Sequence, residues 1–217
     1  VSRRVFITGT DTGVGKTWLT CRAVRALQDA GQRAIALKPV ACGADANGQF
    51  EDLEALLRAQ PGQCIEAINR YRFALPAAPA AAASAAGERI SPEELVSWCA
   101  RASQEHDISL IEGVGGLMVP LTDRYTVLDW LADMPDCEVW LVADCRLGGI
   151  NHTLLSCRAL EQIGRRPAHI FVNAPAAGDE GRQPGLIAAI RPLVEDTTKI
   201  HSLSHGANSG LASLLLH

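Results

Sequence analysis

The sequence has no apolar run approaching the roughly 20 residues that a membrane-crossing helix needs, so a membrane protein is not expected. It has no excess of positive charge. The formal charge is −4, whereas broad electrostatic binding of nucleic acid requires a basic face. No self-similarity at a period of roughly 20 to 50 residues is visible, which excludes a solenoid. The seven cysteines (21, 42, 64, 99, 137, 145 and 157) show no CxxC or Cys/His spacing, and of the six histidines only His201 and His205 stand at HxxxH spacing, with no cysteine near them. A zinc site is therefore not expected. An odd number of cysteines, several at apolar positions, reads as reduced thiols packed as small core residues, which points to the cytoplasm. The chain enters a strand directly through Val-Ser-Arg-Arg-Val-Phe-Ile-Thr-Gly, and no signal peptide is expected.

What is present is the balance of a soluble globular protein, 47% apolar and 20% charged over 217 residues. That length buries a full core, so one domain spanning 1–217 is expected. Short apolar runs alternate with helix-length segments. Residues 5–8, 34–37, 108–111, 139–143, 169–172 and 199–203 read as strands, most of them nearly continuous in apolar character, as when helices cover both faces. Residues 17–30 form an amphipathic pattern that stops at Gly31. Ser91-Pro92-Glu93-Glu94 signals a capping box opening a helix through Ala102. Residues 150–164 place Ile150, Leu154, Cys157 and Ile163 at helical spacing. The order implies an α/β fold, a single-domain, doubly wound, mainly parallel sheet, and the glycine-rich loop Gly9-Thr-Asp-Thr-Gly-Val-Gly-Lys-Thr17 after its first strand marks the P-loop NTPase type. The low-complexity stretch 76–86 (PAAPAAAASAA) reads as a surface connection running into a short helix.

In such sheets ligands bind beyond the carboxyl ends of the strands. The first strand end carries Gly9-Thr-Asp-Thr-Gly-Val-Gly-Lys-Thr17. Glycines 13 and 15 let the backbone wrap a phosphate at a helix start, where Lys16 reaches the β- and γ-phosphates and Thr17 ligates Mg²⁺. The strict pattern has glycine at position 10; this chain has Thr10, with Gly9 one residue early. Lys38 follows the second strand and precedes a proline, so it points into the site, where fixed positive charge would stabilise a developing anion. Glu112 ends the third strand as a metal-ligand carboxylate would. Glu51, Asp52 and Glu54 open a helix, and spacing does not choose among them. Arg146 to His152 follow the fourth strand, where Gly148-Gly149 free N–H groups for an anion and Asn151 stands in the first turn. Asn173 follows the fifth.

Segments 9–17 (GTDTGVGKT), 37–43 (LKPVACG), 71–76 (YRFALP), 111–121 (IEGVGGLMVPL) and 147–152 (LGGINH) together resemble the dethiobiotin synthetases, in the family's order and approximate spacing over about residues 4 to 175. The resemblance implies an ATP-dependent enzyme that closes a ureido ring on 7,8-diaminononanoate with CO2, giving dethiobiotin, ADP and phosphate. It implies Thr12, Lys16 and Lys38 as catalytic residues around a carbamate and the transferring phosphoryl group. It implies Mg²⁺ on Thr17, Asp52 and Glu112. Nucleotide contacts carry over to Gly13, Val14, Gly15, Lys16, Thr17, Trp18, Asp52, Glu112, Gly113, Val114, Gly115, Asn173 and Ala174, with Asn173 facing the adenine. Substrate contacts carry over to Thr12, Lys38, Cys42, Gly148, Gly149, Ile150 and Asn151, the last turn acting across the interface of a homodimer.

Four departures stand out: Cys42 where many members have serine, Leu75 and Ala80 near Phe-Ala-x-Pro, and Thr198-Lys-Ile-His201 in place of Gly-x-Ile-Pro. The stretch 204–210 (SHGANSG) follows, where the family shapes its adenine pocket. Partition-type switches carry a signature lysine early in the loop, where this chain has Asp11. Relatives of cobyrinate a,c-diamide synthases usually add a glutaminase domain, for which there is no length. The alternative is a P-loop ATPase or nucleotide-binding paralogue without synthetase turnover.

Overall fold

The structure, a computed structural model, describes residues 2–174 and 178–203; the sequence stretch 204–210 lies outside them. The chain opens with β1 (Arg3–Gly9), α1 (Lys16–Asp29), β2 (Ala34–Leu37) and β3 (Val40–Cys42). It continues with α2 (Glu51–Ala59), α3 (Ile65–Ile68), β4 (Tyr71–Phe73), α4 (Pro79–Ala85) and α5 (Pro92–Ser103). Then come β5 (Ile108–Gly116), β6 (Pro120–Thr122), β7 (Tyr125–Thr126), α6 (Val127–Ala132), β8 (Cys137–Asp144), α7 (Gly149–Gln162) and β9 (His169–Asn173). Helix α8 (Gln183–Ile190) and β10 (Lys199–Leu203) complete the fold.

Six strands form one sheet in the order β10-β9-β8-β1-β5-β2, and each pairing in it is parallel. These are the six strands expected from the apolar runs. The chain leaves β1 toward the β2 edge and later steps outward the other way through β8, β9 and β10. Right-handed crossovers therefore put α1 on one face and α7 and α8 on the other. Leu141, Ile170 and Val172 pack with Cys157, Leu186 and Ile190 beneath α7 and α8, while Phe6 meets Trp130 of α6 edge-on at 4.8 Å. Direction reverses at β1, so its carboxyl end is the switch point where a ligand crevice belongs.

The edge strand β2 is closed by a side chain. Gln60, fully buried, accepts from Ala36 N at 2.9 Å and donates to Ala36 O at 2.8 Å, occupying the backbone groups a further strand would use. Two parallel residue runs, β3 and β4, then form a separate small sheet above that edge.

Several sequence expectations are corrected. Glu112 does not end its strand: β5 runs on to Gly116, with the register against β1 shifting between Ile7 and Gly9. The buried stripe of α7 is Gly149, Thr153, Cys157 and Leu160, while Ile150 is 43% exposed. The helix turns the line through Gly149, Thr153 and Cys157 toward the sheet, and Ile150, one helical step (about 100°) from Gly149, points outward. The Ser91 cap forms, with Oγ accepting from Glu94 N at 3.1 Å. The Glu94 carboxylate, however, takes Arg70 and Arg101 instead of closing the box. A reciprocal box stands at Thr126 and Asp129.

Candidate functional site

The segment between β1 and α1 is built on glycine. Gly13 (φ 75°) and Gly15 (φ 100°) hold left-handed conformations that a side chain would strain. A Cβ at Gly9 would come within 2.8 Å of Val14 Cγ2, so the close approach falls at position 9 and Thr10 is tolerated. Gly15 caps α1 without a side chain to occupy its first amides, which leaves those N–H groups for an anion. Asn173, at the end of β9, is buried under this loop and donates to Val14 O at 2.9 Å. Ala174, fully buried, follows it.

Lys16, 6% exposed, donates to the carbonyl of Asp11 at 2.8 Å. Burial, and then the charge of Lys38, lower its pKa to about 8. The Asp11 carboxylate turns back to accept from Thr12 N at 2.7 Å. One helical position on, Thr17 Oγ1 lies 2.8 Å from Asp52 Oδ1 and 2.6 Å from Glu112 Oε1. Of the three acids opening α2, the structure brings Asp52 to Thr17. Lys38 closes the cluster, with Nζ 2.6 Å from Glu112 Oε1, 3.0 Å from Asp52 Oδ2 and 3.1 Å from Gly113 O. Burial would lower the Lys38 pKa, but Glu112 and Asp52 outweigh it and raise it. Asp52 is lowered: burial opposes its charge, and Lys38 overcomes that.

Glu112 is fully buried, and its second oxygen, Oε2, has no hydrogen-bond partner among the described residues. The Thr17 hydroxyl and the carboxylates of Asp52 and Glu112, the latter including the orphaned Oε2, form an all-oxygen donor set. That set fits a hard divalent cation such as Mg²⁺ rather than a soft one.

These groups share one cleft of about 650 Å³, lined by Thr12, Gly13, Gly15 to Trp18, Lys38, Cys42, Asp52, Glu112, Val114 and Gly115. Its apolar wall is Pro76, Ala77, Ala78, Pro79 and Val119. The segment read as a surface connection is thus a wall of the site. Its contact with the cleft depends on the β3–β4 sheet, which sequence period does not reveal. A groove of about 840 Å³ runs between α1 and α2 past Arg22, Arg25 and Arg58, touching the charged cluster only at Thr17 and Asp52. The chemistry lies in the smaller cleft, which holds both lysines and Glu112.

The turn Gly148 to Asn151 does not line that cleft within one chain. Gly148 (φ 93°) caps α7, and a Cβ on Gly149 would sit 2.2 Å from Asp144 O, so glycine is obligatory there. Ile150 and Asn151 are exposed. Arg146 folds back on Asp144, its Nε 2.6 Å from Oδ2.

A family model described as an AAA domain matches residues 3–205. The ATP-dependent dethiobiotin synthetase of Anaeromyxobacter dehalogenans strain 2CP-C is 43% identical over 88% of this chain and 85% of its own length. That of Escherichia coli O157:H7 is 36% identical over 76% and 74%. Among solved structures, the hydrogenase maturation factor HypB of Archaeoglobus fulgidus aligns with a TM-score of 0.61 at 16% identity, covering 99% of this chain and 89% of that one, a likeness of fold alone. With the cleft geometry and relatives of this similarity over most of both chains, the chain belongs to the family of ATP-dependent dethiobiotin synthetases.

Proposed function

We propose that the cleft binds ATP by the loop Gly9 to Thr17 and closes the ureido ring of dethiobiotin on 7,8-diaminononanoate. The observation that carries this reading is the joint burial of Lys16, Lys38 and Glu112 around one cleft with an apolar wall. The charged end suits phosphates and a carbamate, and Pro76 to Pro79 suit the aliphatic chain of the diamine.

In this mechanism one amine takes up CO2, forms an N–C bond and releases a proton, leaving a carbamate anion. The carbamate oxygen attacks the γ-phosphorus, and ADP leaves. The neighbouring amine then attacks the carbonyl carbon, forms the second N–C bond and expels phosphate. Lys16, Lys38 and the first amides of α1 hold the anions where charge develops. Thr12, beside Gly13 at the loop's outer end, orients the carbamate. No side chain acts as a nucleophile.

Thr17, Asp52 and Glu112 would hold Mg²⁺, which when bound neutralises phosphate charge. Gly13, Val14, Trp18, Gly113, Val114 and Gly115 line the nucleotide, and Asn173 and Ala174 mark the side of its base. Cys42 meets the substrate near its amines. Gly148, Gly149, Ile150 and Asn151 would receive the substrate carboxylate of a second copy in a homodimer. Support for that comes from the exposed apolar residues around the turn, Met118 at 66%, Leu147 at 104% and Leu155 at 59%. The setting is cytoplasmic. No described helix is long and apolar enough to cross a membrane.

The test is phosphate release from Mg-ATP with bicarbonate, with and without the diamine. Release strictly dependent on the diamine, with dethiobiotin found by mass spectrometry, is expected. Diamine-independent release would make the chain a simple ATPase.

A further inference from the structure

Lys38 and the acids beside it form one hydrogen-bonded unit. Nζ contacts Glu112 Oε1 at 2.6 Å, Asp52 Oδ2 at 3.0 Å and Gly113 O at 3.1 Å, which uses all three ammonium hydrogens. Thr17 Oγ1 meets the same Glu112 Oε1 at 2.6 Å and Asp52 Oδ1 at 2.8 Å. Glu112 Oε1 therefore serves the hydroxyl and the ammonium at once. A divalent cation drawing on Thr17, Asp52 and Glu112 would need these same oxygens. It would also stand within a few ångströms of the ammonium, in a place where Lys38 is 2% exposed and Glu112 0%. Like charges so close and so poorly solvated repel strongly.

Resting on the reading of these three residues as a cation site, we propose that Lys38 and the divalent cation compete for the Asp52–Glu112 pair, so that metal loading expels the Lys38 ammonium into the cleft. That cleft is the one lined by Lys16 and Thr12, where the carbamate and the transferring phosphoryl group would lie. The carboxylates thus hold the lysine until a cation takes them. The coupling is reciprocal: an anion that keeps Lys38 in the cleft tightens metal binding by the same factor.

The experiment uses the full chain without nucleotide and Mn²⁺ as the probe, its free ion followed by electron paramagnetic resonance. Lys38→Met removes the competing charge and keeps an unbranched chain; Mn²⁺ should bind about tenfold tighter or more, within the roughly 5- to 150-fold span of such couplings. Glu112→Gln should bind it more weakly than the unaltered chain. A second measurement avoids variants. Amine acetylation of the wild-type protein, read by mass spectrometry on the peptide carrying Lys38 against exposed Lys199, should rise several-fold with Mg²⁺. If Glu112→Gln leaves Mn²⁺ affinity unchanged, the metal reading falls and the competition with it. If Glu112→Gln weakens binding but Lys38→Met does not tighten it and Lys38 acetylation stays flat, the competition alone is overturned.

Discussion

The side-chain amide of Asn69 holds the carbonyl of Lys38 at 2.8 Å and that of Tyr71 at 2.9 Å, so one buried residue ties the exit of β2 to the entry of β4. Lys38 N is fixed as well, donating to Ile68 O at 2.8 Å. Asn69→Ala removes both of these buried hydrogen bonds, at a cost of about 1–3 kcal/mol, and frees the backbone that aims Lys38. The expected result is a kcat lower by about tenfold or more, because small misplacements of positioning groups are expensive, with ATP affinity nearly unchanged. Asn69→Asp should be worse, since it sets carboxylate oxygens against carbonyls. Urea denaturation and steady-state phosphate release measure both. Equal loss of ATP binding would make Asn69 a general structural residue.

Gly15 and Asn173 are in mutual contact. A Cβ at Gly15 would lie 2.3 Å from Asn173 Nδ2, and the φ of 100° is strained for any side chain. Gly15→Ala should therefore cost about 1–3 kcal/mol from the backbone alone and push Asn173 off Val14 O. Nucleotide affinity should fall at least about tenfold. Asn173→Ala removes the collision and leaves the strain, so the double variant should show a coupling of about 0.5–3 kcal/mol. Thermal denaturation and calorimetric titration with a non-hydrolysable ATP analogue give the cycle. Strict additivity would mean that the two residues act apart.

The sheet was legible because its evidence is local. Five of the six parallel strands are centred on apolar runs, β10 being the exception, and the strand-end rule alone places Lys16, Lys38 and Glu112 near one another. What the sequence did not reveal is set by distant partners. Choosing Asp52 over Glu51 and Glu54 depends on Thr17, 35 residues away. The Gln60 plug on Ala36 and the Asn69 clamp on Lys38 are single polar residues with no periodic signature. The wall at Pro76 to Pro79 follows from the three-residue strands β3 and β4, too short to stand out as alternation. Ile150 fits the apolar spacing yet faces outward, because α7 meets the sheet through Gly149 and Thr153, residues that an apolar pattern does not mark.

His169 makes the fold acid-sensitive away from the site. Its Nδ1 is 2.9 Å from His201 Nε2, and it stacks on Phe171 and His201 beside Trp140. Burial, then the His201 charge, lower its pKa from 6.5 to about 4. With the folded pKa below the unfolded one, the unfolded chain takes up the proton first. The stabilisation is complete above pH 6.5 and is lost as pH falls toward 4. The loss should reach up to about 3 kcal/mol. His169→Phe keeps the ring and should flatten the stability curve over that window, as read by urea denaturation at several pH values. An unchanged slope would assign the acid loss to other groups.

Cys42 lines the cleft beside Lys38, and burial pushes its thiol up to about 11. At pH 8 it is a neutral thiol and a weak donor. Iodoacetamide should therefore modify the exposed Cys64 well before Cys42, with the Cys42 rate climbing as pH approaches its pKa. Cys42→Ser puts a stronger donor where the diamine would bind. It should lower the KM for the diamine by about two- to tenfold, the range of one net hydrogen bond, and leave the KM for ATP alone. Cys42→Ala sets the baseline. If alanine matches cysteine while serine improves on both, the thiol contributes volume and no hydrogen bond. If all three enzymes share one KM, the diamine does not reach this wall, and its amines must be held by Lys38 and Thr12 without it.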